Sequence, residues 1–214
     1  MKIGTKSVLY GAHCFFLHPI FVARAWWKLY GFPWDPRLWV AFVVHDLGYR
    51  GMPNMDGPEG EDHVRFGASL MGRLFDYDHW SATRFAKLVG PLLDRLFTPP
   101  FKPFSGGPAS WYQLCFYHSR YMAKRYGTEP SKLCFADKLA FVITPAFIYL
   151  PCVWMTGEWK EYATAHNHEV HHDAVTLRGW YYPSREYVRR WVLEHLDGKS
   201  DTWTQEKPAN ATTE

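Results

Sequence analysis

The sequence contains little cysteine, and its cysteines show no pattern of a metal knuckle or a disulfide framework. Only four occur in 214 residues, and none forms a CxxC pair. This spacing disfavours a disulfide-stabilised secreted module and a cysteine-based zinc site. We interpret the cysteines as reduced core residues of a cytoplasmic protein: Cys14, Cys115, Cys134 and Cys152.

Long uninterrupted hydrophobic runs are also absent. Residues 139–155 are 17 residues without a charge, and they contain Pro145 and Pro151. Because this stretch is short for a bilayer span and contains two prolines, it predicts a buried core helix that breaks and continues, not a transmembrane segment. The apolar N-terminal stretch is interrupted by His13 and has no clear cleavage site, so we do not expect a signal peptide. Hydropathy alone leaves peripheral membrane contact open.

The sequence has neither a clustered basic stripe nor a glycine-rich phosphate loop. Its net charge is only +3, with 24 Lys and Arg against 21 Asp and Glu. These absences give no case for specific nucleic-acid binding or for a P-loop nucleotide site. Alternating runs of β-branched residues are nearly absent too, which disfavours β-strands.

Helical patterns recur along the chain and favour an all-α protein, with a dense core of the abundant aromatic residues. Asp35 suits the N-cap, and Pro36 the first position, of a helix that ends near Gly48. Ser184 suits the cap of the last helix. The other predicted helices cover residues 19–30, 60–75, 80–97, 109–126 and 130 to about 144, and the last covers 184 to about 196.

The chain is interpreted as one helical domain over residues 1–197. Its core covers about 15–145, and a C-terminal helical extension covers 146–197. Prolines and glycines predict loops at 51–58 and 98–108, and the region 156–182 is expected to be irregular or to contain short helices. From 198 to 214 the chain is polar without apolar periodicity, which predicts a disordered tail.

Histidine and aspartate residues lie in or beside these predicted helices. Imidazole and carboxylate both bind divalent metals, and a bundle projects such side chains from several helices into one site. The pair His45-Asp46 follows an apolar run, where an isolated carboxylate would be costly to bury and a cation would remove that cost. A His-Asp dipeptide also occurs by chance. On spacing alone, the alternative that Asp46 is a surface residue and not a metal ligand therefore stays open. The candidate ligands are His18, His45, Asp46, His63, His118 and Asp137.

The order and context of these residues resemble the HD-domain superfamily of metal-dependent phosphohydrolases. Residues 18–24 (HPIFVAR) resemble the first-histidine segment, and residues 45–48 (HDLG) resemble the end of the signature helix. Residues 59–68 and 117–119 resemble the additional histidine segments of binuclear members. Residues 136–139 (ADKL) resemble the closing aspartate segment. The resemblance covers about residues 15–145.

The resemblance implies a bundle of five core helices with additional C-terminal helices, and it implies a role for each candidate ligand. A second metal would bind His63 and His118, with Asp46 bridging both ions, so that these three residues would be catalytic through the water they activate. The implied cofactor is a pair of divalent ions from among Mn, Fe, Mg, Ni, Co and Zn. The first metal would bind His18, His45, Asp46 and Asp137.

Other histidines have simpler interpretations. His13 competes with His18 for the first ligand position, but the residues after His18 fit better. His79 is interpreted as a surface residue. A histidine-rich segment is more typical of a solvated polar stretch than of a metal site, although such tracts do bind metal. It contains His166, His168, His171 and His172.

Substrate contacts are expected close to the ligand motifs. A phosphate group is bound by cations, and an aromatic ring can stack on a base or donate a hydrogen bond. Taken singly, a cationic or aromatic side chain beside a ligand motif is more typical of a surface position than of a substrate contact. The candidates for substrate binding are Tyr49, Arg50, Arg120 and Lys138.

Three functions are compatible with this sequence. The first is a metal-dependent phosphohydrolase that acts on a nucleotide or other small phosphoester through a metal-activated water. The second is an HD-type diiron oxygenase that cleaves a C–C or C–P bond, because the same ligands suit iron. The third is a non-enzymatic helical binding module with a structural metal. The expected partner is a small phosphorylated molecule, and a homodimer stays open.

Overall fold

The computed structural model describes residues 1–56, 58–99, 110–164 and 176–196, and the regular structure in these residues is helical throughout. This confirms the all-α class. A single 3-10 turn covers Leu47–Tyr49. The α-helices are α1 (Ile3–Tyr10), α2 (His18–Tyr30), α3 (Pro36–Val44), α4 (Pro58–Glu61), α5 (Val64–Phe75), α6 (Arg84–Leu96), α7 (Trp111–Phe116), α8 (Arg120–Arg125), α9 (Lys132–Ile143), α10 (Ala146–Thr156), α11 (Trp159–Thr164) and α12 (Leu177–Leu196).

The main core lies between α2, α3, α5, α7 and α9. α2 packs against α9 and α5 packs against α7, while α12 covers a second side of α9. The centre is filled by large apolar side chains that are almost fully buried, among them Trp26, Phe42, Leu114 and Leu133. Burial of such side chains is the main stabilising contribution of a bundle without strands.

Several helices begin where their capping residues predict. The Asp35 carboxylate accepts a hydrogen bond from the Arg37 backbone N–H, which confirms the predicted start of α3. Asp76 fixes the start of α7, because its carboxylate accepts hydrogen bonds from the backbone N–H groups of Trp111 and Tyr112 and from the Ser110 hydroxyl. Each of the backbone bonds satisfies an N–H donor that a helix start otherwise leaves unpaired.

Two predicted helices are divided. The helix expected over 60–75 breaks at residues 62–63, between α4 and α5, and that expected over 109–126 breaks at 117–119, between α7 and α8. The signature helix ends at Val44 and not near Gly48. Each break lies at a candidate ligand, namely His63, His118 and the pair His45-Asp46. Apolar periodicity continues through these breaks and so does not reveal them.

The predicted start of the last helix is wrong. α12 begins at Leu177, so Ser184 and Pro183 lie inside the helix. The Ser184 hydroxyl donates to the backbone carbonyl of Trp180, one turn earlier in the same helix. Likewise α6 begins at Arg84, capped by Thr83, four residues later than expected. Residue type alone predicts a cap at this serine, but serine hydroxyls also bond to the preceding turn of their own helix.

The uncharged stretch 139–155 does break and continue, with a bend of 101° between α9 and α10. α1 was not anticipated from the sequence. Part of the 98–108 loop, the histidine-rich segment 166–172 and the proposed tail 198–214 lie outside the described residues. The single-domain boundary at 197 therefore stays a prediction.

Within the described ranges, no helix on its own has both the length and the apolar composition of a bilayer span, and α9 with α10 reach them only as a bent pair.

Candidate metal centre

The six candidate ligands converge at the meeting point of α2, α3, α5, α7 and α9, although 119 sequence positions separate the first from the last. Their donor atoms form two groups, and within each group the atoms lie within 4.8 Å of one another. The first group contains His18, His45, Asp46 and Asp137, and the second contains Asp46, His63 and His118.

Asp46 belongs to both groups because its two oxygens point to different sides. Oδ2 lies 3.2 Å from His18 Nε2 and 3.1 Å from His45 Nε2. Oδ1 lies 3.2 Å from His118 Nε2 and 3.6 Å from His63 Nε2. A carboxylate in this position can bridge two cations.

Three imidazoles are oriented by the same kind of hydrogen bond, from the ring to a backbone carbonyl. His45, His63 and His118 each donate an Nδ1–H hydrogen bond to the backbone carbonyl three residues earlier, at Phe42, Gly60 and Cys115 respectively. These carbonyls belong to the last turns of α3, α4 and α7, where a helix leaves acceptors unpaired. The bonds fix the tautomer, so that each Nε2 presents its lone pair to the centre, as in metal-binding histidines.

The candidate ligand atoms that face the centre form few good hydrogen bonds with one another. Among the described side chains, buried atoms with no hydrogen-bond partner include His18 Nε2, His45 Nε2 and Asp46 Oδ2. His63 Nε2 lies 3.1 Å from His118 Nε2, where two lone pairs meet if both rings carry their proton on Nδ1. Buried polar atoms are normally paired, so this convergence of polar atoms without hydrogen-bond partners fits divalent cations.

In the protein chain alone, the two aspartates favour protonated histidines in the first donor group, where the pKa values of His18 and His45 are raised. Burial lowers the pKa of His45, but Asp46 and Asp137 outweigh it and raise that pKa to about 10. Burial raises the pKa of Asp46, but the imidazoles around it hold that pKa well below its usual range. For His63, burial and the neighbouring His118 lower the pKa. Divalent cations would displace the protons that the first group holds.

The donor chemistry selects among cations. Imidazole nitrogens outnumber carboxylates in the two groups together, with four histidines against two aspartates. Such a set suits Mn, Fe, Co, Ni or Zn better than Mg or Ca, which prefer oxygen ligands. The residues therefore fit a divalent transition metal.

A cavity of about 230 Å³ opens beside the first donor group, which contributes His18 and Asp137 to its wall. Aromatic side chains make up much of the remaining wall. They are Tyr49, Phe141, Tyr149, Tyr162 and Trp180.

Of the predicted substrate contacts, the structure brings two to this cavity. Tyr49 and Lys138 line it, and Lys138 Nζ lies 3.0 Å from Asp137 Oδ2. Arg50 is exposed and lines a different cleft, beside His63. Arg120 is buried, with its guanidinium 4.3 Å from the ring centre of Trp191. Closeness to a candidate ligand in the sequence does not determine whether a side chain points into the cavity, because neighbours on a helix point about 100° apart.

Tyr49 packs against the candidate ligand His63, a contact that the sequence did not predict. Its ring stacks on the His63 imidazole with 3.8 Å between centroids and 8° between planes. The ring therefore holds His63 from one face while the Gly60 carbonyl holds its Nδ1–H. Together these contacts leave Nε2 directed at His118 and Asp46.

His13, the alternative to His18 as the first ligand, belongs to neither donor group. Its Nδ1 lies 2.9 Å from the Ser7 hydroxyl, and that hydroxyl donates to Glu158 Oε2 at 2.6 Å. Because the hydroxyl proton is used by Glu158, His13 donates its Nδ1–H to Ser7. The ring of His13 lines the cavity and lies 5.5 Å from that of His18, between centroids.

Glu158 is a functional-site neighbour that sequence reasoning missed. It has no exposed surface, and its carboxylate accepts hydrogen bonds from the Ala12 backbone N–H and from the hydroxyls of Ser7, Thr156 and Tyr162. No sequence signal pointed to it, because its partners at the N-terminus lie up to 151 positions away.

His79 lies at a turn, where its Nδ1 accepts from Ser81, and it belongs to neither donor group. The four histidines of the 166–172 segment lie outside the described residues, so their interpretation stays a prediction.

Comparisons of the chain with protein-family models, with curated proteins and with solved structures found no match in any of the three.

Proposed function

We propose that this protein is a metal-dependent hydrolase of a small phosphoester, the activity that the resemblance to the HD-domain superfamily implies. The observation that supports it is the pair of donor groups sharing Asp46, next to a cavity. A shared carboxylate between two cation positions is the arrangement of hydrolytic two-metal sites.

Charge balance favours an anionic substrate. The two aspartates contribute two negative charges, while histidines that donate their Nδ1–H and ligate through Nε2 are neutral. Two divalent cations would leave the centre with a net charge of about +2, and on the cavity wall the positive charge of Lys138 stands against the negative charge of Asp56. A phosphoryl group complements that charge without an arginine in the cavity.

The bound metals would supply Lewis acidity toward a phosphoryl oxygen and a water of lowered pKa. The chain's own residues would do the rest. Asp46 holds both donor groups together, and His63 and His118 complete the second. His13, held by Ser7 and Glu158, lines the cavity and would hydrogen-bond the substrate. The volume of about 230 Å³ restricts the non-phosphate part to a small group.

The test is elemental analysis of the purified full-length protein, followed by a phosphate-release screen with the metal found. The screen would include nucleoside mono- and triphosphates and small sugar and alkyl phosphates. We expect a transition metal and release of phosphate or pyrophosphate from at least one class. A fully metal-loaded protein that releases neither from any compound would contradict the proposal.

The cavity wall gives one specific reason to keep the diiron oxygenase as a second candidate. Among the described residues that line it, Lys138 is the only lysine or arginine, and it pairs with Asp137, while much of the remaining wall is aromatic. Such a lining also suits a substrate that binds iron through hydroxyl groups. Iron in the purified protein together with substrate-dependent oxygen uptake would favour the oxygenase, whereas anaerobic turnover with Mn would eliminate it.

A further inference from the structure

An aromatic face lies on the outside of α2 and α3. We define it by four residues whose rings form a chain of contacts through Phe32, namely Trp27, Phe32, Trp34 and Trp39. Phe32 lies 5.5 Å from Trp27, 4.5 Å from Trp34 and 6.4 Å from Trp39, between ring centroids. Trp34 is 77% exposed and Trp27 60% exposed, which is unusual for rings of this size.

The same face continues with apolar side chains along both helices. Ile20 lies two turns before Trp27 on α2 and is 60% exposed, and Val43 follows Trp39 by one turn on α3. A groove of about 550 Å³ runs between the helices and is lined by Ile20, Trp27, Phe32 and Trp39 among others. A continuous exposed apolar surface of this kind marks an interaction site more often than chance exposure does.

The charge on this face has one sign. Arg24 and Lys28 are exposed on α2 and line the groove, and none of the described residues that line it is acidic. The first 44 residues contain five Lys and Arg and a single carboxylate, Asp35. That carboxylate is buried and paired with Arg37. The occupant of this face is therefore apolar and negatively charged.

We propose that the aromatic face docks this protein onto an anionic lipid surface. Tryptophan prefers the boundary between headgroups and acyl chains, and the apolar side chains would enter that boundary. Arg24 and Lys28 would lie at the depth of the phosphates, where basic side chains are attracted to anionic lipid. Both features of the face are satisfied by one occupant.

A second copy of this chain satisfies only one of them. A symmetric dimer through this face would bury the rings, but it would bring Arg24 and Lys28 close to their own copies without a carboxylate to pair with. This is why we favour the lipid surface and treat dimerisation through this face as an outcome that would overturn the proposal.

The test is co-sedimentation of the full-length protein with lipid vesicles. One set contains phosphatidylcholine alone, and the other contains phosphatidylcholine with phosphatidylglycerol. We expect binding to the second set, weakened by added salt because the charge attraction is screened. Binding to neither set would overturn the proposal.

Variants locate the contact. Trp27→Ala with Trp34→Ala should weaken vesicle binding by at least about tenfold, since two buried rings are lost. Arg24→Gln and Lys28→Gln should each weaken it by about fivefold. Trp80→Ala is the matched control, because Trp80 is 92% exposed but lies in the turn before α6, outside the face. Equal loss in the control, or no loss in the face variants, contradicts the proposal.

Sedimentation equilibrium of the same proteins distinguishes lipid binding from dimerisation through this face. If the wild type is a dimer that Trp34→Ala dissociates, and vesicles do not bind it, the face is an interface between copies. Because all the substituted residues are exposed, we expect the variants to keep the metal content and melting temperature of the wild type, which excludes unfolding as the cause.

Discussion

At the scale of single residues, Asp46 has the largest consequence because each of its oxygens serves a different donor group. Asp46→Asn keeps the shape but removes the charge that both groups share. We expect this variant to lose most bound metal, whereas Asp137→Asn and His118→Gln should each lose about one of two ions. Metal content of purified protein measures this difference.

His79→Gln is the control for these variants, since His79 belongs to neither group and should leave metal content unchanged. Circular dichroism would verify that each variant is folded. Full metal content in Asp46→Asn would show that this carboxylate does not bridge.

Tyr49 offers a test of orientation without loss of a ligand. Tyr49→Phe keeps the ring that stacks on His63, whereas Tyr49→Leu removes it. Because contacts that fix a metal-binding histidine affect affinity by about 10–100-fold, Tyr49→Leu should weaken the second metal by that factor and Tyr49→Phe should not. Metal titration followed by calorimetry measures both. Equal affinities in the two variants would remove any positioning role of the ring.

At the scale of elements, the site depends on how closely α5 approaches the end of α3. A Cβ built on Gly67 would lie 2.6 Å from the Val44 carbonyl oxygen and 2.8 Å from His45 Cα. These contacts are with backbone, which cannot move aside without displacing His45. A glycine is needed here for close approach and not for a special backbone angle.

Gly67→Ala should therefore destabilise the protein by about 1–3 kcal/mol, the usual range for overpacking, and also weaken metal binding through His45. Urea unfolding measures the first effect. Ser69→Ala, on the exposed side of the same helix, is the control. If the two variants unfold alike, α5 is not closely packed against α3 at this point.

At the scale of the whole molecule, Glu158 ties the N-terminal residues to the beginning of α11. Burial raises the pKa of its carboxyl, but the His13 side chain and the hydrogen bonds from Ser7 and Ala12 outweigh burial and lower that pKa overall. A group with a lowered pKa in the folded state stabilises it above the ordinary glutamate pKa. That contribution is lost as the pH falls through the ordinary value toward the folded one.

Glu158→Gln should lower the free energy of unfolding by about 1–3 kcal/mol at neutral pH, because donors to a buried charge lose their acceptor. The difference from the wild type should shrink in acid. Urea unfolding at several pH values tests this. Glu186→Gln is the control, since Glu186 pairs with Arg189 at the surface, where ion pairs contribute little. A pH-independent difference would contradict the assignment.

Much of the fold was predictable from local signals. The cap Asp35, the proline after it and the periodicity of α2 and α9 depend on neighbours in the chain, and these predictions were confirmed or shifted by one or two residues. The breaks at His63 and His118 were not predictable. They depend on carbonyls that the imidazoles cap and on close approach of other helices.

The sequence by itself determined the all-α class and the identity of six residues that could bind metal, because helix periodicity and residue type are local properties. The tertiary structure alone decided that these residues meet in two groups joined by Asp46. It also decided that Tyr49 and Lys138 face the cavity while Arg50 and Arg120 do not. Glu158 shows the reason most clearly: its role comes from contacts up to 151 positions away, which depend on packing and leave no trace in local sequence.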